Sequence, residues 1–306
     1  MSAVSLSTDA NHSLLPGKPI PYCIIHSKTT TMKTIIAPTD FSPLSVNAVN
    51  YAADMACSTG CELLLLHVYP LPVMAGEVPV PVYGIDDSEE YQKEQVDKLR
   101  SELLLRTRDR IKIISQTEQG DILVKIEEAC KLFNPYAVVV GPETVGRIGE
   151  LAGAAITSEL LKELQWPVII VPADVHYSNI RKIGLACDFK NVLHSIPAEE
   201  IKTIVKEFKA ELHVLHVHDD PEQEYKADTI EESGWLQEMF FDIQPKYHLI
   251  NNNNIEKGIE QFAEINKLDM LIVVPKKHNL LHNLFFKSHS KQLVLHSHVP
   301  VLAVHE

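Results

Sequence analysis

Two aspartates carry the first chemical signal in the sequence. Asp40 and Asp188 each end a run of apolar residues, in "TIIAPTDF" and "KIGLACDF", and stand 148 positions apart. A carboxylate at a strand end can accept hydrogen bonds from a ribose hydroxyl or an adenine amine. It can equally shape its own turn. Two histidines, His67 and His216, lie in the mirrored segments "ELLLLHVY" and "ELHVLHVH", 149 positions apart. Each reads as a histidine near a strand end, hydrogen-bonded to neighbouring backbone. The fifteen histidines raise the question of a metal. His216 and His218 share a strand face, His213 points the other way, and His278, His282, His289, His296 and His298 crowd the last segment. A zinc site needs three or four converging ligands. The sequence has no HExxH and no Cys/His pairing, so no protein-bound metal is expected. The five cysteines include no CxxC and read as reduced thiols. There is no GxSxG, no Walker loop and no GxGxxG, and no base or nucleophile stands beside Asp40, so catalysis is not expected.

The elements that would hold these residues alternate in type. Lys33–Ala37 reads as a buried strand and Pro38–Phe41 as a turn. Ser42 caps a helix with Pro43 at its first position, where a missing N–H is harmless. Val46, Val49, Ala53 and Ala56 mark its apolar face and Gly60 ends it. Glu62–Val68 is a second buried strand. Ser88 opens a charged helix with Val96, Leu99 and Leu103 on one face. Ile111–Ser115 reads as a strand, Asp121 caps a helix to about Phe133, and Tyr136–Val140 is a strand ending at Gly141. A helix near Ala152–Leu164 and a strand Pro167–Val171 follow. Strands in continuous β-branched runs, separated by helices, mean a parallel sheet covered on both faces.

The second half repeats this plan. Besides the two segments already quoted, "DMLIVVP" mirrors "YAVVVGP" and "VPVLAVH" mirrors "WPVIIVP", both at an offset of 133. Four matched segments in one order indicate a tandem duplication. The expected division is a disordered tail over residues 1–31, a first domain over 32–176 and a second, degenerate domain over 177–306. In a doubly wound sheet the ligand crevice lies at the carboxyl ends of the strands, where strand order reverses. The loops there are Pro38–Phe41 and Gly141–Ala154 in the first half, and Cys187–Phe189 and Pro275–Lys287 in the second. The longer loop of each pair feeds a helix N-terminus suited to a phosphate.

Charge excludes some partners. The chain has 28 Lys+Arg against 41 Asp+Glu, a net of −13, shared as −8 over residues 1–178 and −5 over 179–306. Neither half is a basic module, so nucleic acid is not an expected partner. No apolar run approaches the ~20 residues that span a bilayer, so neither is a membrane. The first thirty residues lack a basic segment followed by an apolar one, so no signal peptide is read and a cytoplasmic location is expected.

Both halves resemble the universal stress protein domain, and together they resemble the tandem members of that family. The resemblance rests on "IIAPTDFS", "LLLLHVY", "VVVGPE" and "PVIIVP" in the first half, and on "IGLACDF", "LHVLHVH", "IVVP", "LFFKSHSKQL" and "VPVLAV" in the second. It implies an α/β fold: two doubly wound five-stranded parallel sheets, strand order 3-2-1-4-5, flanked by helices. It also implies the site. Nucleotide-binding members carry a loop after strand four with three spaced glycines and a hydroxyl, whose amides and hydroxyl hold phosphates. Gly141 matches the first glycine. Thr144 and Ala154 replace the other two, Ala155 replaces the hydroxyl, and Thr157 matches a later hydroxyl. In the second half Lys287 and Ser288 fall at the third glycine and the hydroxyl, Ser290 at the later hydroxyl, and Pro275 and His278 at the first two glycines. A lysine with two hydroxyls can hold an anion, or Ser288 can simply cap its helix. The backbone at Val68 and Val217 stands where family members contact adenine.

The resulting reading is a non-catalytic cytoplasmic regulator or binding module of stress physiology. Its ligand would be ATP or another adenine nucleotide, its only metal nucleotide-associated Mg, and its protein partner is unknown. The alternative is a slow ATP-hydrolysing enzyme of the adenine-nucleotide hydrolase-like group. In that strand order, Pro167–Val171 and Pro300–Val304 are apolar edges, an aggregation liability. They can pair antiparallel, making an intrachain pseudo-dimer with Ile169 and Leu302 near its seam. A homodimer between chains is compatible with this but not required.

Overall fold

The computed structural model describes residues 33–70, 74–75, 78–79, 88–142, 156–218, 227–275, 293 and 297–305. The expected tail, residues 1–31, lies outside them. The first repeat runs β1 (Thr34–Thr39), α1 (Pro43–Thr59), β2 (Glu62–Tyr69), the hairpin β3 (Met74–Ala75) and β4 (Val78–Pro79), α2 (Glu89–Thr107), β5 (Ile113–Gln119), α3 (Ile122–Phe133), β6 (Ala137–Val140), α4 (Ile156–Glu163) and β7 (Val168–Ile170). The second runs β8 (Lys182–Ala186), α5 (Val192–Ser195), α6 (Ala198–Phe208), β9 (Glu211–His218), α7 (Ala227–Met239), β10 (Lys246–Asn251), α8 (Ile255–Asn266), β11 (Met270–Val273) and β12 (Val301–Ala303).

Local chemistry explains where the helices begin and end. Ser42 Oγ accepts from Ser45 N–H at 3.2 Å, with Pro43 in the first turn, and Gly60 closes α1 in the left-handed region at φ 71°. Ser88, Asp121 and Asn254 cap α2, α3 and α8 in the same way. All six residues of β1 are buried, as are Leu63–His67 of β2. Both faces of the central strands therefore lie under helices.

Among the described residues, ten strands form one sheet in the order β10-β9-β8-β11-β12-β7-β6-β1-β2-β5. Each repeat contributes five parallel strands in the order 3-2-1-4-5. The fifth strands, β7 and β12, pair antiparallel, with Ile169 opposite Leu302. The edge that each repeat would expose is thus covered by the other. One apolar layer runs unbroken across this seam through Ile35, Ala37, Ile169, Leu302, Ile272 and Ile183. The opposite layer runs through Ile36, Val138, Ile170, Val301 and Leu271. Each Ile, Leu or Val among them contributes roughly 1.5–3 kcal/mol by leaving water. His305 Nε2 also reaches the Leu161 carbonyl, 2.9 Å away in the other repeat.

Several segments differ from the sequence expectation. The strand expected over Ile111–Ser115 is β5, Ile113–Gln119, paired with β2 as far as Tyr69. It is an outer strand, so its second half is polar and half-exposed and carries no apolar run. The helix expected near Ala152–Leu164 is described only over Ile156–Glu163. In the second repeat, β10 and α7 have no counterpart in the sequence reading. β10 is the other outer strand, and at most half-buried along its length.

Candidate functional site

Strand order reverses between β1 and β6 in the first repeat, and between β8 and β11 in the second. Asp40 follows β1 directly and Asp188 follows β8 after Cys187, at these switch points. Their turns are built alike. Asp40 Oδ1 accepts from Ser42 N–H at 2.9 Å, and Asp188 Oδ1 from Lys190 N–H at 3.1 Å. One oxygen of each carboxylate thus shapes its turn, as the local reading of these residues anticipated.

The next residue is a phenylalanine in both turns, and both adopt the left-handed region, Phe41 at φ 62° and Phe189 at φ 49°. For a bulky residue this conformation costs about 1–2 kcal/mol. Ring packing offsets it. Phe41 lies 4.5 Å from the His67 ring, centre to centre, and Phe189 4.5 Å from His216. An aromatic pair contributes about 0.5–1.5 kcal/mol beyond its buried area. Each histidine is tied back to the residue before its aspartate. His67 Nδ1 donates to the Thr39 carbonyl at 2.7 Å, and His216 Nδ1 to the Cys187 carbonyl at 3.0 Å. The histidines are therefore backbone-anchored, as expected. The phenylalanines were the part that sequence reasoning passed over, although "DF" followed by a distant His recurs in both halves.

The other ring nitrogen, His67 Nε2, lies 2.9 Å from the Gln92 side-chain amide of α2. Burial holds the His216 imidazole below its ordinary pKa against the opposing Cys187 carbonyl, which keeps it neutral at pH 7.

Gly141 and Thr157 meet at the end of β6. Thr157 is fully buried and its hydroxyl donates to the Gly141 carbonyl at 3.0 Å. This bond pins the start of α4 to the strand, so the hydroxyl proton is already engaged. A Cβ on Gly141 would lie 3.1 Å from the Leu44 carbonyl oxygen of α1. The glycine thus permits close packing of helix on strand. Val68 is half-buried. Val217 is buried against Gly258 of α8, where an added Cβ would come within 3.0 Å of it. Lys287, Ser288 and Ser290, the phosphate-side candidates of the second repeat, lie outside the described residues, as do Thr144, Ala154 and Ala155. No group of three or more His, Cys, Asp or Glu among the described residues is arranged to hold a metal. No helix among them is long and apolar enough to cross a membrane.

The description "Universal stress protein family" matches this chain twice, over residues 31–172 and 179–305. The chain belongs to the universal stress protein family. Its fold is shared with a universal stress protein from Archaeoglobus fulgidus, at a TM-score of 0.65 and 20% identity over 89% of this chain and 98% of that one. A provisionally assigned universal stress protein from Pseudomonas aeruginosa is similar at a TM-score of 0.58 and 14% identity, over 90% and 93% of the two chains. None of the curated proteins matches the chain. As a tandem universal stress protein, the chain carries within one polypeptide two copies of the family domain.

Proposed function

We propose that this tandem universal stress protein is a non-catalytic, cytoplasmic binding module of stress physiology. Its ligand is an adenine nucleotide, taken at the carboxyl ends of the strands. The observation that carries the reading is the recurrence, at both switch points, of an aspartate fixed by its own turn and followed by a phenylalanine whose ring packs on a histidine. In this reading Asp40 and Asp188 accept from the ribose or the adenine amine, and the backbone at Val68 and Val217 borders the base. The phosphates, with any associated Mg, fall to the loop between Gly141 and Thr157 in the first domain (32–176). In the second (177–306) they fall to Lys287, Ser288 and Ser290. The second domain is the stronger binder, because Thr157 is already bonded to Gly141 and Ala154 and Ala155 offer no side-chain donor.

The test is calorimetric titration of ATP into the wild type, Asp188→Ala and Asp40→Ala, with phosphate release followed in parallel. The expected result is loss of most binding in Asp188→Ala alone, with no release. Loss confined to Asp40→Ala, or equal loss in both, would reject the ranking. Steady phosphate release would favour the hydrolytic alternative.

A further inference from the structure

A cleft of about 480 Å³ opens between the two repeats where the amino ends of their strands meet. The crevices discussed above lie at the carboxyl ends, so this is a separate place. Six of its residues matter: Ser58, Tyr177, Arg181, Glu207, Lys209 and Glu211.

The duplication divides this region into two half-sites. Glu62 N–H donates to the Lys33 carbonyl at 2.9 Å, and Glu211 N–H to the Arg181 carbonyl at 2.7 Å. Arg181 is therefore the counterpart of Lys33. Helices α1 and α6 end on left-handed residues, Gly60 and Lys209. The same backbone bond follows each, Cys61 N–H to Ala56 and Ala210 N–H to Val205. That alignment makes Ser58 the counterpart of Glu207. One half-site is complete: Lys33 Nζ meets the Glu207 carboxylate at 3.2 and 3.3 Å and sits 4.9 Å from the centre of the Tyr136 ring. The other half-site has the cation, Arg181, and a serine where the carboxylate would be.

The charge balance of the cleft follows from what is already paired. Glu207 is neutralised by Lys33, and Glu211 by Lys246 at 2.6 Å. Neither Arg181 nor Lys209 forms an ion pair among the described residues. Asp269 engages the backbone rather than the guanidinium of Arg181: its Oδ2 accepts from the N–H groups of Arg181 and Lys182. The buried Tyr177 hydroxyl lies towards Ser58 without reaching hydrogen-bond geometry to any partner. Two exposed cations without an ion pair among the described residues thus line one open cleft.

We propose that the cleft is a second binding site, for a small anion bearing a carboxylate or phosphate group. The guanidinium fork of Arg181 and the Lys209 ammonium hold the charge, and the Ser58 hydroxyl donates to it. The ligand supplies the negative charge that Glu207 supplies in the other half-site.

The test is calorimetry of the full chain at low salt, with inorganic phosphate and citrate as probes. The expected result is saturable binding of one probe, with the preferred probe identifying the anion as phosphoryl or carboxylate. Arg181→Gln and Lys209→Gln should each weaken it by about tenfold or more, so either can serve if the other fails to fold. Ser58→Glu should abolish binding while raising the melting temperature at low salt, because it completes the second ion pair. Two outcomes would overturn the proposal: no saturation by either probe below about 10 mM, or wild-type binding in both cation variants, which would move the anion to a crevice.

Discussion

The turns after β1 and β8 follow the same path on different chemistry. In the first repeat the path is held by hydroxyls. Thr39 Oγ1 accepts from Phe41 N–H at 3.0 Å and pairs with Ser45 Oγ at 3.1 Å, and Ser42 caps α1. In the second, Cys187 Sγ stands in for the threonine at 3.4 Å. The short α5 is capped from a distance: Glu232 of α7 accepts from Asn191 and Val192 N–H at 3.1 and 2.8 Å. Both solutions leave the aspartate, the left-handed phenylalanine and the anchored histidine in the same relation. What the turn requires is the backbone path and the aromatic contact. The donors that stabilise it are exchangeable. The exchange makes the second turn depend on α7, a helix remote in sequence, whereas the first is self-contained.

The largest expected effect lies at the seam, which both repeats share. Ile169→Asp or Leu302→Asp would bury a carboxylate between β7 and β12, at a cost of about 4 kcal/mol or more. Urea unfolding should show either variant losing most of its cooperative transition, and equal losses would show that the repeats depend on each other equally. A smaller effect separates the turns. Phe189 is only 6% exposed and Phe41 is half-buried. Truncation to alanine should cost about 3 kcal/mol at Phe189 and roughly 2 at Phe41, read from chemical-denaturation midpoints. The reverse order would mean that the hydroxyl network makes the first turn the more demanding one.

The smallest effect is acid sensitivity, and it belongs to the second repeat. His213 and His248 face each other with Nδ1 and Nε2 3.0 Å apart, so one must donate and the other accept. Burial, helped by Lys246, lowers the pKa of His213, with Glu211 opposing. Burial, helped by His213 itself, lowers that of His248, and His216 is lowered likewise. The unfolded chain therefore binds protons at a higher pH than the folded one. Stability is fully present above about pH 6.5, the ordinary histidine value, and is lost as pH falls below it. His248→Gln should flatten the fall in denaturation midpoint between about pH 7 and 5. An unchanged slope would assign the sensitivity to other groups.

Much of this was legible in the sequence. Central strands carry apolar residues on both faces, so β1, β2, β6, β7 and their counterparts stand out as runs, while the strand order that puts the seam at Ile169 and Leu302 was implied by the family resemblance. β5 and β10 are outer strands with polar, half-exposed residues, so periodicity marks the first only in part and misses the second. At the crevice, the recurring Asp and His were readable because they repeat. The bond from Thr157 to Gly141 was not, since a hydroxyl spaced to suit a phosphate can also turn inward to a carbonyl.

The antiparallel join of β7 and β12 has a consequence for how the protein is made. β7 ends at Ile170 and its partner begins only at Val301, about 130 residues later in the chain. At roughly 5–20 residues per second, ribosomal synthesis leaves that apolar edge uncovered for about 6 to 26 seconds. A nascent first repeat exposes the same edge that a neighbouring nascent chain would expose. Two such chains on one polysome can therefore satisfy each other with the register meant for the second repeat, and the product is an exchanged dimer rather than a disordered aggregate.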